Sequence, residues 1–396
     1  MTRPPFEVAD IVRQHGDRFL ETHRAWLTPQ HRRVLRAVAQ CRTAALGGHE
    51  DRCDDCAHPV FSYNSCRNRH CPKCLTAVRN QWVAARQQEL LPVGYVHVVF
   101  TLPHTLGPLA LRNKRVVYDL LFHAVAATLL AVAANPKRLG AAIGGLMVLH
   151  TWGQLLRHHP HVHGVVPAGG LAPDGTRWIH ARPTFFLPIT VLRHVFRGKL
   201  IAGLREAFQR GRLDFPGGLQ PLASDAAFRR FLRSLYRQPW VVYAKPPFGS
   251  PAHVLHYLAQ YTHRVAISNH RLVAVADDTV AFRWTDYRHG SAVKTATLTA
   301  DECLRRFLVH VLPKGFVRIR YFGILASRCR ADALPRCRRA LATSPDPPPV
   351  TDHTATSSRA VWRCPRCGGP MRVVEHLTAR QVAIRRLLEG IPYDTS

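Results

Sequence analysis

Apolar positions from Phe6 to about Leu46 recur at helical spacing, among them Phe19, Trp26, Val34, Leu35 and Val38. Thr28-Pro29 supplies a cap and a first-turn proline for a second helix, so this stretch predicts a small helical lead-in. A polar, cysteine-rich segment follows from Cys53 to Cys74, and Ala77 to Leu91 then reads as a helix stopped by Pro92. Tyr95 to Leu102 is a β-branched and aromatic run ended by Pro103, the composition of a buried strand. After a long apolar helix from Val116 to Ala134, Gly144–Trp152 and His161–Val166 are strand-like runs separated by a polar turn around Arg157 to Pro160, which predicts that they pair as neighbours.

Beyond Gly169-Gly170 the pattern predicts helices at about 190–211 and 224–237, a strand from Trp240 to Ala244, and another helix opened by Ser250-Pro251. Leu272–Ala276, Val280–Trp284 and Val293–Leu298 read as a meander, followed by a helix from Asp301-Glu302 to Leu312. This order predicts an α+β fold with a mainly antiparallel sheet. The proline-rich stretch after Ser344 reads as a linker to a terminal Cys364-Pro-Arg-Cys367 knuckle, and no internal repeat is visible.

Charge narrows the partner. Lys and Arg number 55 against 25 Asp and Glu in 396 residues, a net +30, while 46% apolar residues exclude a disordered basic tail. Such a charge attracts polyanions, with nucleic acid ahead of anionic membrane. Asp119 and His123 interrupt the one membrane-length apolar run, so it reads as a buried helix, and no membrane partner is expected. The opening MTRPPFEVADIVRQ lacks the layout of a signal peptide, which predicts a cytosolic protein whose 11 cysteines are metal ligands or free thiols.

Three constellations carry chemistry. Cys53-x2-Cys56 and Cys71-x2-Cys74 have the spacing of four thiolates on one tetrahedral Zn²⁺, with Cys66 and His70 as alternative ligands. His161 and His163 emerge on one face of their strand as a divalent-metal half-site, and His150 on the adjacent strand is placed to supply a third nitrogen. Tyr257 and Tyr261, four apart on a helix, share a face, with Arg264 on the next turn. A phenol of pKa about 10 becomes a nucleophile toward phosphate only beside a metal ion and cations; without them the two tyrosines read as helix packing.

Together these residues resemble the rolling-circle, two-tyrosine HUH transposases of bacterial insertion sequences. The likeness spans nearly the whole chain. It includes Tyr63-Asn64-Ser65-Cys66-Arg67-Asn68-Arg69-His70-Cys71-Pro72-Lys73-Cys74, Phe100-Thr101-Leu102-Pro103-His104, and His161-Val162-His163 followed by Pro167 and Gly169-Gly170. It continues through Tyr257-x3-Tyr261, Trp284-Thr285-Asp286-Tyr287-Arg288 and the Leu312–Gly323 stretch. The resemblance implies an HUH nuclease core on an RNA-recognition-like sheet, with His161 and His163 holding Mg²⁺ or Mn²⁺. It implies that Tyr257 and Tyr261 nick and join single-stranded DNA at element ends and target through 5′-phosphotyrosine links. His150 as third ligand rests on strand geometry, not on the family pattern.

Arg318, Arg320 and Tyr321 put cations beside an aromatic, as in surfaces that stack exposed bases, with a solvated edge strand as the plainer reading. Cys364 and Cys367 are candidates for a second zinc, completed by Cys329, Cys337 or His376. The expected organisation is a helical zinc-binding domain over 1–92, a catalytic domain over 93–325, and a linker with a knuckle-bearing tail over 326–396. A zinc-dependent DNA-binding regulator explains the charge and the cysteines but leaves the histidine and tyrosine pairs unused. A plasmid-type replication initiator or relaxase shares the catalytic parts, yet a relaxase usually begins with its nuclease, whereas a zinc module precedes it here. A bacterial, cytoplasmic transposase acting on nucleoid DNA is the expected role; its oligomeric state is not specified.

Overall fold

The computed structural model describes residues 4–74, 82, 86, 89–245, 266–287, 289–342 and 363–389. Helices α1 (Val8–Thr22) and α2 (Pro29–Gln40) open the chain, and β1 (Gly48–Cys53) and β2 (Pro59–Tyr63) form a hairpin after them. Thr28 caps α2 by accepting a hydrogen bond from the His31 backbone N–H at 3.3 Å, with Pro29 in the first turn. Next come β3 (Tyr95–Thr101), α3 (Lys114–Ala134), β4 (Gly144–Trp152), β5 (His158–Pro167), and the short pair β6 (Gly169–Leu171) and β7 (Trp178–His180). Helices α4 (Ile189–Gln209) and α5 (Asp225–Leu235) lead to β8 (Val242–Ala244). The meander of β9 (Leu272–Ala276), β10 (Thr279–Asp286) and β11 (Ala292–Thr299) feeds α6 (Ala300–Val309), β12 (Ile319–Gly323) and α7 (Arg330–Ala342). Strand β13 (Met371–Leu377) and α8 (Ala379–Glu389) complete the described chain.

The fold is α+β. Its central sheet runs β12-β4-β5-β3-β8 with every neighbouring pair antiparallel. Strand alternation divides its side chains between two cores. Val96, Val98, Phe100, Met147, Leu149, Val162 and Val166 face α3, α4 and α5, where they meet Val117, Leu121, Phe196, Leu200 and Phe228. Tyr95, Leu146, Val148 and Val165 face the other way, onto Leu334, Cys337 and Leu341 of α7. Helix α3 is the one described helix long and apolar enough to cross a membrane, and more than half of its most apolar stretch is buried inside the fold.

A third core joins the two halves of the sequence. Ile11 and Phe19 of α1 and Val34 and Leu35 of α2 pack with Leu272, Val280 and Phe282 of the meander and Leu304 and Leu308 of α6. The N-terminal helices therefore do not bury their apolar stripes within residues 1–92 alone. Lys73 is nearly buried 2.6 Å from an equally buried Glu7 carboxylate, which ties the cysteine-rich loop to the start of α1. Arg69 donates to the Phe316 carbonyl and, at 2.8 Å, to the Pro313 carbonyl, so the Arg67–Cys74 and Leu312–Gly323 motifs form one contact.

Residues 363–389 are likewise not a free tail. Strand β13 lies antiparallel on β1, from Gly48 opposite Leu377 to Cys53 opposite Met371, and makes the hairpin a three-stranded sheet. Leu377 and the fully buried Val382 fill a small core with Tyr63. Strand β13 covers an edge of β1, a pairing that no local sequence pattern announces.

Candidate metal centres and the histidine cluster

The register of β4 on β5 sets His150 opposite His161 and Val148 opposite His163. All three histidines share the face of Leu146, Val148 and Val165, because each is an even number of residues from one of them. One donor nitrogen from each of His150, His161 and His163 lies within 4.8 Å of the other two. The His150 and His163 ring centroids are 4.5 Å apart, and those of His161 and His163 4.8 Å.

Hydrogen bonds orient two of the rings. His161 Nδ1–H donates to the carbonyl oxygen of its neighbour His159 at 2.7 Å, leaving the Nε2 lone pair open. His163 Nδ1 lies 2.9 Å from Nε2 of His97 on β3, with the two rings stacked at 9°. Burial holds His161 down to about 4, and burial with the nearby Lys245 cation holds His97 to about 4, so both rings are neutral at pH 7. Neutral imidazoles with committed Nδ1 atoms are the form in which histidine ligates a metal. His97 was missed as part of the site, and its signal was a titratable residue inside the otherwise apolar Tyr95–Phe100 strand.

The cluster opens into a cavity of about 350 Å³ lined also by Trp152, Gln154, His159, Arg271 and Tyr287. Arg271 donates to the carbonyls of Arg283 at 2.8 Å and of Gln154 at 2.5 Å, so its cation is held at the cavity edge by backbone. Tyr287 is largely exposed, and its hydroxyl accepts from Gln154 at 3.4 Å. Tyr257, Tyr261 and Arg264 lie outside the described residues.

In the Arg318–Tyr321 segment the cations and the aromatic ring are engaged by neighbouring side chains. Arg320 is ion-paired with Asp119, and its guanidinium sits over the rings of Phe122 at 4.3 Å and Phe316 at 5.0 Å. Tyr321 lies under Arg330 at 4.8 Å and accepts from Arg86 at 3.4 Å. Arg318 is buried deeply enough, beside Arg69, for its pKa to fall to about 10. These contacts lay the long side chains of the edge strand β12 against its neighbours.

The cysteines form two groups, and their membership corrects the sequence reading. Cys71 and Cys74 meet Cys41 and Cys66, whereas Cys53 and Cys56 meet Cys364 and Cys367. Cys74 Sγ is 3.5 Å from Cys41 Sγ and 3.5 Å from Cys66 Sγ. Four sulfurs at about 2.3 Å from one zinc stand about 3.8 Å apart, so these separations suit a tetrathiolate ion and are far too long for disulfides. The two CxxC turns of the N-terminal segment lie in different groups. The β1–β2 hairpin carries Cys53 and Cys56 to one end of its sheet, while Cys66 to Cys74 folds back against the C-terminus of α2, where Cys41 sits. Cys41 was unrecognised because it stands alone in sequence, outside any CxxC pair. His70 is buried but in neither group.

The expected completion of Cys364 and Cys367 by Cys329, Cys337 or His376 does not occur. Cys329 donates its thiol to the Gly323 carbonyl at 3.3 Å, Cys337 is buried under the central sheet, and His376 lies against His49.

Comparison with known proteins adds the family. Residues 11–102 match a model described as transposase zinc-binding domain, which contains the whole Cys41, Cys66, Cys71 and Cys74 group. Residues 144–333, which hold all three clustered histidines, match a model described as putative transposase. The putative transposase y4qJ of Sinorhizobium fredii (strain NBRC 101917 / NGR234) is 50% identical over 384 residues, covering 95% of this chain and 96% of that protein. The transposase for insertion sequence element IS801 of Pseudomonas savastanoi pv. phaseolicola is 30% identical over 343 residues, covering 84% of this chain and 80% of its own. No solved structure matches. With both halves matched and one relative alike from end to end, the chain belongs to the zinc-binding insertion-sequence transposases that include that of IS801.

Proposed function

We propose that this transposase cuts and rejoins single-stranded DNA at the ends of its element, with the His150, His161 and His163 cluster as the metal-dependent centre and Tyr257 and Tyr261 as nucleophiles. The observation that carries this reading is the convergence of three imidazoles on one face of the sheet, with donor atoms within 4.8 Å and a cavity of about 350 Å³ in front of them. A divalent ion bound there polarises the scissile phosphate and offsets its charge. A donor set of imidazole nitrogens suits Mn²⁺ better than Mg²⁺, which prefers oxygen ligands.

His161 and His163 are oriented toward the ion by contacts at their Nδ1 atoms, with the His159 carbonyl and with His97. Arg271 adds a fixed positive charge at the cavity edge, where a phosphodiester would lie. The phenol oxygen attacks phosphorus, the bond to the 3′ oxygen breaks, and that oxygen leaves as a 3′-hydroxyl after taking up a proton. The protein keeps the 5′ phosphate as a phosphotyrosine ester. Attack by a 3′-hydroxyl on this ester reverses the step and joins strands without external energy, because one phosphodiester is exchanged for another. The net charge of +30 supplies the sequence-independent attraction for DNA in the bacterial cytoplasm.

The test is to incubate the protein with Mn²⁺ and labelled single strands carrying candidate element ends, and to look for a covalent adduct on a denaturing gel. The adduct is expected with the wild type and is expected to vanish in His161→Ala. Loss in Tyr257→Phe or Tyr261→Phe identifies the nucleophile. Equal cleavage by all three variants rejects the reading.

A further inference from the structure

The Cys53, Cys56, Cys364 and Cys367 group stands apart from the match to a transposase zinc-binding domain, which ends at residue 102 and contains only the first two of these cysteines. Sulfurs 308 and 314 residues apart in sequence approach closely: Cys56 to Cys364 at 3.7 Å and Cys53 to Cys367 at 3.4 Å. Both edges are near the spacing of about 3.8 Å set by a tetrahedral zinc thiolate site.

The backbone of each CxxC turn is built alike. The residue after the second cysteine is left-handed in both, Ala57 at φ 57° and Gly368 at φ 78°. Ala57 N–H donates to the Cys53 carbonyl at 3.0 Å, and Gly368 N–H donates to the Cys364 carbonyl at 2.9 Å. Arg366 N–H is aimed at Cys364 Sγ at 3.4 Å, the kind of contact that offsets thiolate charge. The turns also pack tightly. A Cβ added at Gly369 would stand 2.2 Å from the Asp55 carboxylate and 2.8 Å from its Cγ, so the close approach needs glycine there. Asp54 N–H donates to the Pro370 carbonyl at 3.0 Å, and Arg372 donates to the Asp54 carboxylate at 2.6 Å.

We infer that Cys53, Cys56, Cys364 and Cys367 bind a second structural Zn²⁺ that clasps residues 363–389 onto the N-terminal hairpin. Four convergent thiols left without a cation would repel one another on ionising, and the metal removes that repulsion. Beyond the ion, the segment is held by β13 on β1, by the small core around Val382, and by Arg385, which bonds the Glu50 carboxylate at 2.9 Å. Because the ligands come from both ends of the chain, the site forms only once the intervening polypeptide has folded. The ion thus fastens the turn before β13 to the β1–β2 hairpin.

The experiment reads metal content and fragment retention in the full-length protein, not activity. Wild type is expected to carry two zinc ions per chain, and Cys364→Ser/Cys367→Ser one, with Cys329→Ser as a thiol control that keeps two. Replacement of zinc by Co²⁺ should give thiolate-to-cobalt absorbance that falls by half in the double variant. A specific protease sequence placed between Ala342 and Arg363 then separates the ends. After cleavage, the C-terminal fragment should co-elute with the body in the wild-type background and dissociate in the double variant. One zinc in the wild type, two in the double variant, or a fragment retained equally in both backgrounds would overturn the inference.

Discussion

His97 Nε2 lies 2.9 Å from His163 Nδ1 with the rings stacked, on adjacent antiparallel strands and inside a site where both are buried. For His163 to offer Nε2 to a metal ion, its proton must sit on Nδ1 and be donated to His97, whose own proton then resides on its Nδ1. His97 positions the ligand and does not itself bind. His97→Phe should therefore weaken Mn²⁺ binding by about 10- to 100-fold, with little change in thermal stability of the metal-free protein. Titration calorimetry with Mn²⁺ checks this, and unchanged affinity would show that His163 is oriented by other means.

The segment from Arg318 to Tyr321 yields a second prediction. Arg320 stacks on Phe122 and Phe316 and pairs with an Asp119 side chain that is partly exposed. Arg320→Ala should cost about 1 kcal/mol of stability, mostly through lost packing, since the ion pair is partly solvated. Affinity for a single-stranded oligonucleotide should stay within about a factor of two. A large affinity loss at unchanged stability, measured by fluorescence anisotropy and urea unfolding, would return this residue to the DNA-binding surface.

What could be read in advance follows from how local each signal was. His150, His161 and His163 were grouped because two adjacent strands with alternating side chains fix neighbours from sequence spacing alone. The meander and the α+β class were legible for the same reason, since hairpin partners are close in the chain. The cysteine groups were not legible because proximity in sequence favoured Cys53–Cys56 with Cys71–Cys74, while in the fold these pairs lie with Cys41 and Cys66 on one side and with residues more than 300 positions away on the other. Packing of α1 and α2 against the meander has the same character, for an amphipathic helix shows that it buries a face but not against what.

Ala57 carries a Cβ in a left-handed conformation, at φ 57°, at the place where the matching C-terminal turn has Gly368. That conformation costs an L-residue about 1 kcal/mol, while glycine gains chain entropy on unfolding that offsets part of the benefit. Ala57→Gly should thus stabilise by roughly 0.5 kcal/mol, and Gly368→Ala should destabilise by about 1 kcal/mol even though a Cβ there meets nothing within 4 Å. Urea midpoints of the two variants at fixed zinc concentration test the pair. Shifts of the same sign would mean that backbone strain is not what distinguishes the turns.

His310 gives the protein a specific acid sensitivity. Its Nε2–H donates to the Leu156 carbonyl at 3.0 Å, so Nδ1 is the acceptor for the Thr151 hydroxyl at 3.1 Å, and the ring is held neutral with both nitrogens used. Burial pushes its pKa from 6.5 down to about 3. The unfolded chain takes up this proton as pH falls through about 6.5, whereas the folded chain refuses it until about 3. The stabilising contribution is therefore complete above pH 6.5 and is lost progressively on acidification toward 3, with a limiting slope of about 1.4 kcal/mol per pH unit for one such group. His310→Gln should be less stable than wild type at pH 7.5, because the acceptor for Thr151 is lost, yet its stability should fall less steeply between pH 6 and 4. Urea unfolding across that range, with both proteins carrying the same cysteines and zinc, isolates the one-proton difference. Parallel stability curves would show that protonation of His310 is not coupled to folding.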